Sequence, residues 1–379
     1  MKSRTLLAAG AAVAVAVPLI AVTTGCVSSF GQPPKGDDLA RIKGSMRYGE
    51  GSFVNPVDTL NGIKGGLFGL IKRYMVKPDP KPRGIIPVSR HDVDAWKARQ
   101  KQGVRFVWVN HATVLVEVDG VRILTDPIWS ERCSPVGFAG PKRYHAPGIA
   151  LADLPEIDAV IISHDHYDHL DEATVLALNK RNIPFYVPLG VGSHFKRWGI
   201  KRVHEMDWWQ HVDLKTPTGQ TLTLGPTPAR HFSGRSVSDR NATLWASWGI
   251  LGPKSRVWFG GDTGYFDGFK DIGERMGPFD LTIVPIGAYD DAWADIHLNP
   301  EEAVQTHQDV KGGLMVPIHW GTFDLAVHAW DDPVWRLVAA ADAAQVQIVL
   351  PKPGETVAVG EKVEVSRWWD FEEDGAALK

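Results

Sequence analysis

The groups in this chain that could do chemistry fall in a pattern. His164, His166, Asp168 and His169 form H-x-H-x-D-H directly after the apolar run AVIIS. Three more titratable residues stand at the ends of other apolar runs: His231 after PTPAR, Asp262 after VWFGG and His319 after LMVPI. Imidazole and carboxylate without thiolate suit Zn²⁺, Mn²⁺ or Fe rather than a cysteine-type structural zinc. His164 and His166 are two apart, so on an extended segment both side chains leave the same face and can grip one ion. Asp168 and His169 follow the turn and can reach a second. A polar loop would also produce such a cluster, and a lone His231 or His319 would read as an ordinary histidine. Their recurrence at strand ends is what ties them to one site.

Those ends imply the elements behind them. From Val104 onward the chain reads as short β-branched or aromatic runs, among them RFVWV, TVLVEVDGVRILTD, DAVIIS, PFYVPL and TLTLGP. Asp-Gly inside the second run predicts a hairpin turn. EATVLALNK and EEAVQTHQDV have helical spacing. A second set follows: TLWASWGIL, SRVWFGG, DLTIVPIGA, GLMVPIHW and VQIVLP. Two strand-rich halves with interspersed helices predict an α/β layered fold, two sheets face to face with helices outside. Strand ends in such a fold share a rim, where rigid supports carry sites.

The 379 residues suffice for one large domain with an extension. With 44% apolar and 22% charged residues the chain is an ordinary globular one, and a net charge of −3 offers no basic field for nucleic acid. Its 15 tryptophans are expected mostly in the core. MKSR, an apolar stretch from Leu6 to Val22 and TTGC ending at Cys26 read as an export signal. The small residues before Cys26 look like a bacterial lipobox, with an uncleaved anchor as the rival reading. Residues 1–26 are thus expected as a lipoprotein signal, 27–103 as a tether and N-terminal extension, and 104–379 as the catalytic domain. Within the extension, residues 27–50 are polar and Gly-, Pro- and Ser-rich. Residues 65–77, GGLFGLIKRYMVK, read as an amphipathic helix for a membrane surface or for packing on the domain. If Cys26 carries a lipid, Cys133 has no disulfide partner.

H-x-H-x-D-H resembles the signature of the metallo-β-lactamase superfamily, an αββα sandwich that commonly holds two metals. NHATVLVEVDG, LTDPIWSERCSPVGFAGPKRYH, SHDHYDHLD, MDWWQ, GGDTGYF, GPFDLTIVPIGAYD and IHWGTF recur in order. Together they resemble the N-acylphosphatidylethanolamine-hydrolysing phospholipase D family across residues 104–355. The resemblance implies that His164, His166 and His231 hold one zinc, that Asp168, His169 and His319 hold another, and that Asp262 bridges them. Other divalent metals remain open.

The implied reaction is hydrolysis of an N-acylphosphatidylethanolamine-like lipid to an N-acylethanolamine and a phosphatidic acid. The chemistry expected of two such ions is to acidify a shared water, which then attacks phosphorus. Catalytic roles are expected for Asp168, Asp262 and His297. His297 stands after PIGAY across a short loop and is a candidate general acid or substrate-orienting group. Tyr167, Tyr289 and Arg235 are candidates for phosphate contact, with packing or scaffold as the alternative, and Lys142, Arg143 and Arg240 share that choice. Asp126 is expected to orient a ligand histidine, and His111 to support the rim. Another hydrolase of the superfamily, a lactonase or general phosphodiesterase, is the competing enzyme, and a non-catalytic envelope protein the competing class. The implied setting is a membrane-anchored lipoprotein of the cell envelope.

Overall fold

In the computed structural model, residues 28–60, 62, 64–77, 81–215, 219–361 and 366–371 are described. The expected signal segment and Cys26 lie outside them. A small hairpin, β1 (Tyr48–Gly49) and β2 (Ser52–Phe53), precedes the main body. The first half then supplies β3 (Val104–Asn110), β4 (Thr113–Val118), β5 (Val121–Thr125), β6 (Ala159–Ile161), β7 (Phe185–Pro188) and β8 (Val203–Met206). The second supplies β9 (Val212–Lys215), β10 (Thr221–Thr227), β11 (Ser247–Leu251), β12 (Arg256–Phe259), β13 (Phe279–Pro285), β14 (Gly312–Ile318) and β15 (Gln347–Ile348). The last strand, β16 (Thr356–Ala358), crosses back to pair with β3. Two seven-stranded sheets result, in the orders β16-β3-β4-β5-β6-β7-β8 and β15-β14-β13-β12-β11-β10-β9.

The period-two pattern of β3 shows why the sheets layer. Phe106 and Trp108 face the second sheet and pack with residues such as Trp248, Trp258 and Val316. Val107 and Val109 face the other way, under Val175 and Leu178 of the helix Glu172–Asn179 and Phe195 of the helix Gly192–Arg197. The second sheet is covered outside by the helices Gly268–Arg275, Pro300–Asp309 and Asp332–Ala344, whose Phe269, Val304 and Leu337 join the same core. This is the αββα sandwich. All fifteen tryptophans are buried or partly buried, as their number predicts.

The Asp-Gly turn forms as its sequence predicts, with Asp119 at φ 48° and Gly120 at φ 86° joining β4 to β5. The Asp119 carboxylate also accepts from the backbone N–H of Gly103, Lys254 and Ser255, tying this turn to the second sheet.

Residues 27–50 depart from expectation. From Ser28 onward the stretch is packed on the body rather than loose. Ile42 is wholly buried with Leu189, Trp208 and Trp245. Trp198 Nε1 donates to Ser28 O at 2.9 Å, and ion pairs join Arg41 to Glu205 and Lys196 to Asp38. Ile42, with Leu39 and Tyr48 beside it, two ion pairs and a backbone carbonyl anchor it, and composition does not register these.

Candidate metal centre

β5, β6 and β7 run parallel, as do β12, β13 and β14, so their C-terminal ends open on one rim. The loop after β6 brings His164, His166, Asp168 and His169 there. The segments after β10, β12 and β14 bring His231, Asp262 and His319. All seven side chains converge. His164 Nε2 lies 2.8 Å from His166 Nδ1, which lies 3.3 Å from His231 Nε2. Asp168 Oδ2 lies 3.4 Å from His169 Nε2 and 3.3 Å from His319 Nε2. Asp262 Oδ2 stands between these two sets: 3.0 Å from His319 Nε2 and 3.2 Å from His169 Nε2 on one side, 3.9 Å from His231 Nε2 and 4.0 Å from His164 Nε2 on the other.

The outer hydrogen bonds fix which nitrogens are bare. His231 Nδ1 donates to Ile296 O at 2.8 Å, and His169 Nδ1 to Asp126 Oδ2 at 2.6 Å. Ser163 Oγ gives its own proton to Asp126, so it accepts from His164 Nδ1 at 2.9 Å. Each of these three histidines thereby commits its Nδ1 proton outward and aims Nε2 inward, the nitrogen that ligates once it carries no proton. Among the described residues, His169 Nε2, His319 Nε2 and Asp262 Oδ1 are buried with no hydrogen-bond partner. Buried nitrogens facing carboxylate oxygens are unfavourable unless a proton or a metal cation stands among them. Two ligands on one tetrahedral zinc, with bonds of 2.0–2.1 Å, stand about 3.3 Å apart. The spacings of Asp168 and Asp262 from His169 and His319 are close to that edge. The donor set therefore fits divalent metal.

Electrostatics agree. Burial raises the pKa of the Asp262 carboxyl, but His169 and His319 outweigh it and hold it well below the usual range. The same contest, with His169 and His111, leaves Asp168 ionised. Burial pushes His164 and His231 well down, leaving both neutral and able to ligate.

The other expected site residues divide. His297 is at the centre: its Nδ1 is buried, has no hydrogen-bond partner and lies 4.0 Å from Asp262 Oδ2. Burial lowers its pKa to about 4, so it is neutral near pH 7. That disfavours the general-acid role and leaves the orienting one. Asp126 is where its role requires, taking Ser163 N at 2.6 Å as well as His169.

Tyr167, Tyr289 and Arg235 are spent elsewhere. Arg235 is 3% exposed. It donates to Asp165 O, Leu170 O and Ser29 O, bracing the ligand loop against the N-terminal segment. Tyr167 covers it at 4.1 Å and donates its hydroxyl to Arg235 O. Tyr289 donates to Asp332 and stacks on His328. These three are scaffold. Arg143 is likewise bonded to backbone carbonyls of Ile128 and Ser130, while Lys142 pairs with Glu131.

Two supports were not singled out by sequence. Asp165, inside the motif, accepts from Gly234 N, Thr243 Oγ1 and His194 Nε2. Asn55 grips the His231 backbone both ways, its Nδ2 donating to His231 O at 2.8 Å and its Oδ1 accepting from His231 N at 3.0 Å. The H-x-H spacing could have flagged Asp165 as a residue pointing opposite to its neighbours. Nothing local marks Asn55.

The site opens into a cleft of about 360 Å³. Its floor carries His166, Asp168, Asp262, His297 and His319, and its walls Phe232, Trp293, Ile296 and Leu325. Arg240 lines one side, its guanidinium 4.4 Å over the Phe232 ring.

Residues 121–320 match the model of the beta-lactamase superfamily domain. An uncharacterised protein of Mycobacterium tuberculosis is 46% identical over 350 residues, 88% of this chain and 91% of that one. The N-acyl-phosphatidylethanolamine-hydrolyzing phospholipase D 1 of Caenorhabditis elegans is 42% identical over 290 residues, 72% of this chain and 81% of that one. Among solved structures, a metallo hydrolase from Ignicoccus hospitalis superposes with a TM-score of 0.52 at 24% identity, covering 68% of this chain and 99% of its own; it shares the fold.

Proposed function

The chain belongs to the metallo-β-lactamase superfamily of metal-dependent hydrolases, and we propose that it is a dinuclear, zinc-type phosphodiesterase of the phospholipase D kind. Its substrate on this reading is an N-acylphosphatidylethanolamine-like lipid, cleaved to an N-acylethanolamine and a phosphatidic acid. One observation carries it: Asp262 Oδ2 stands between two triads of ligand atoms at the floor of a cleft with apolar walls. The similarity to the C. elegans phospholipase supports the lipid.

His164, His166 and His231 would hold one cation, Asp168, His169 and His319 the other, and Asp262 would face both. Bound there, the ions would supply Lewis acidity to the phosphodiester and to the attacking water. The chain's own groups do the rest. His297, neutral and uncapped beside Asp262, orients a phosphoryl oxygen or the incoming water. Arg240 adds positive potential at the cleft wall. Phe232, Trp293, Ile296 and Leu325 shed water and accept acyl chain.

The helix Gly66–Met75 supports a membrane setting. It exposes Phe68 (82%) and Met75 (81%), with Ile71 and Tyr74 about half exposed. Arg73 pairs with Asp290 at 2.6 Å, and just before the helix Lys64 N donates to Ala292 O at 2.8 Å. Gly62, two residues upstream of Lys64, lines the cleft itself. An apolar, lysine-bearing face at the cleft mouth suits an anionic phospholipid surface, from which a lipid could enter sideways. No helix among the described residues is long and apolar enough to cross a membrane. Lipidation at Cys26 completes this reading as an exported, anchored lipoprotein.

The test is to incubate zinc-loaded protein with N-acylphosphatidylethanolamine in ¹⁸O-water and weigh the products. Label in phosphatidic acid, with none in N-acylethanolamine, is the expected result. Turnover of a lactone or a simple phosphodiester with the lipid untouched would move the assignment to another hydrolase of the superfamily.

A further inference from the structure

We propose that His111 is a positioning residue of the second cation set, holding Asp168 by its imidazole and His319 by its carbonyl. The inference rests on the two-cation reading above. His111 occupies the turn between β3 and β4, 1% exposed, at φ 42°. Its Nε2 lies 2.9 Å from Asp168 Oδ2. A carboxylate accepts only, so the imidazole donates. Its carbonyl accepts the His319 backbone N–H at 3.0 Å, and the indole of Trp108 shares that oxygen at 3.0 Å. Its own N–H donates to Thr322 Oγ1 at 2.9 Å.

Asp168 and His319 reach the site from different sheets. His111 is the residue that bonds to both. His319 also sits at φ 63°, so two left-handed, non-glycine residues are locked together by one hydrogen bond. Such conformations are strained and persist where their surroundings over-determine them. Here the surroundings are the tryptophan layer, with Trp108 stacked 5.7 Å from Trp320.

A rival role is direct ligation, since His111 Nε2 falls within 4.8 Å of the ligand atoms of Asp168, His169 and His319. The donor count favours donation: Asp168, His169, His319 and Asp262 already offer the four donors that a tetrahedral ion takes. His111 Nε2 lies at hydrogen-bond length from Asp168 Oδ2.

The experiment uses two substitutions of similar size. His111→Gln keeps an N–H at about the reach of Nε2; His111→Met removes it. Chelator-stripped full-length protein is titrated with zinc against a chromophoric competitor, with cobalt absorption reporting coordination and thermal melting of the metal-free chains controlling for fold. Wild type should take two ions. His111→Met should bind the second about 10–100-fold more weakly while keeping the first. His111→Gln should recover most of that loss with an unchanged cobalt spectrum. If glutamine and methionine weaken the second ion equally, the imidazole is a ligand and the proposal is overturned. If methionine binds both ions as wild type does, it is likewise overturned. A wild type that takes only one ion sinks the two-cation reading, and this inference with it.

Discussion

Asp126 Oδ2 accepts the Nδ1 proton of His169 at 2.6 Å, and both side chains are wholly shut off from water. The same carboxylate receives the N–H and hydroxyl of Ser163. It thus fixes the tautomer of one expected ligand directly and of His164 through the serine. Asp126→Asn is expected to weaken cation binding about 10–100-fold. Competition with a chelating dye measures this, and wild-type affinity would contradict the role.

Asp262 is expected to be indispensable. Its Oδ2 is the atom that stands between the two triads. Asp262→Asn keeps the size and removes the charge. Hydrolysis should vanish while far-ultraviolet dichroism stays native. Activity near wild type would sink the facing-both role.

His297 should separate chemistry from metal content. It lines the cleft without a hydrogen bond of its own at Nδ1. His297→Ala should lower kcat with cations per chain unchanged. Burial keeps the imidazole neutral, with a pKa near 4. No limb of the kcat profile between about pH 6 and 8 should therefore disappear in the variant. A lost basic limb there would restore the general-acid role.

Protons and cations compete for the second set. In the cation-free chain burial lowers the pKa of His319, but Asp262 and Asp168 outweigh it and lift it to about 9. His169 is raised in the same way by Asp262, Asp168 and Asp126. Both are protonated at pH 7, whereas an unfolded imidazole titrates near 6.5. The stabilisation His319 gives the cation-free fold is complete below about 6.5 and fades as pH climbs through about 9, and that of His169 is likewise lost only as pH climbs through its raised pKa. Cation binding must expel these protons, so affinity should rise with pH over that window. Calorimetry at pH 7 in buffers of different ionisation enthalpy should register release of about two protons. Release of none would contradict the ligand assignment.

Arg235 distinguishes scaffold from substrate contact. Removing its buried hydrogen bonds to Asp165 O, Leu170 O and Ser29 O should cost roughly 1.5–3 kcal/mol of stability. Arg235→Ala should therefore lower Tm and cation affinity together. A raised KM at unchanged Tm would return it to the substrate.

Much of this was legible in the sequence. The ligand residues stood out because strands are written as apolar runs, and a charged residue at the end of such a run has a known address. The Asp-Gly hairpin and the tryptophan core were legible for similar local reasons. Asp165 and Asn55 were not, nor was the choice of scaffold for Arg235; His111 was expected at the rim, but not its bonds to both Asp168 and His319. They work across long separations, and largely through backbone carbonyls and N–H groups that carry no sequence label. Arg235 and Tyr167 looked available for phosphate because their types suit it. Only burial reveals that the guanidinium is already committed to carbonyl oxygens. The docking of residues 28–50 hid for a related reason, resting on a few apolar side chains around Ile42, on ion pairs with distant residues and on main-chain contacts within a polar stretch.

The most direct measurement is the metal content of the purified protein, taken beside its hydrolytic rate before and after chelation. The account expects close to two divalent ions per chain, activity lost on stripping and recovered with the second equivalent. A folded, active preparation without metal would contradict it.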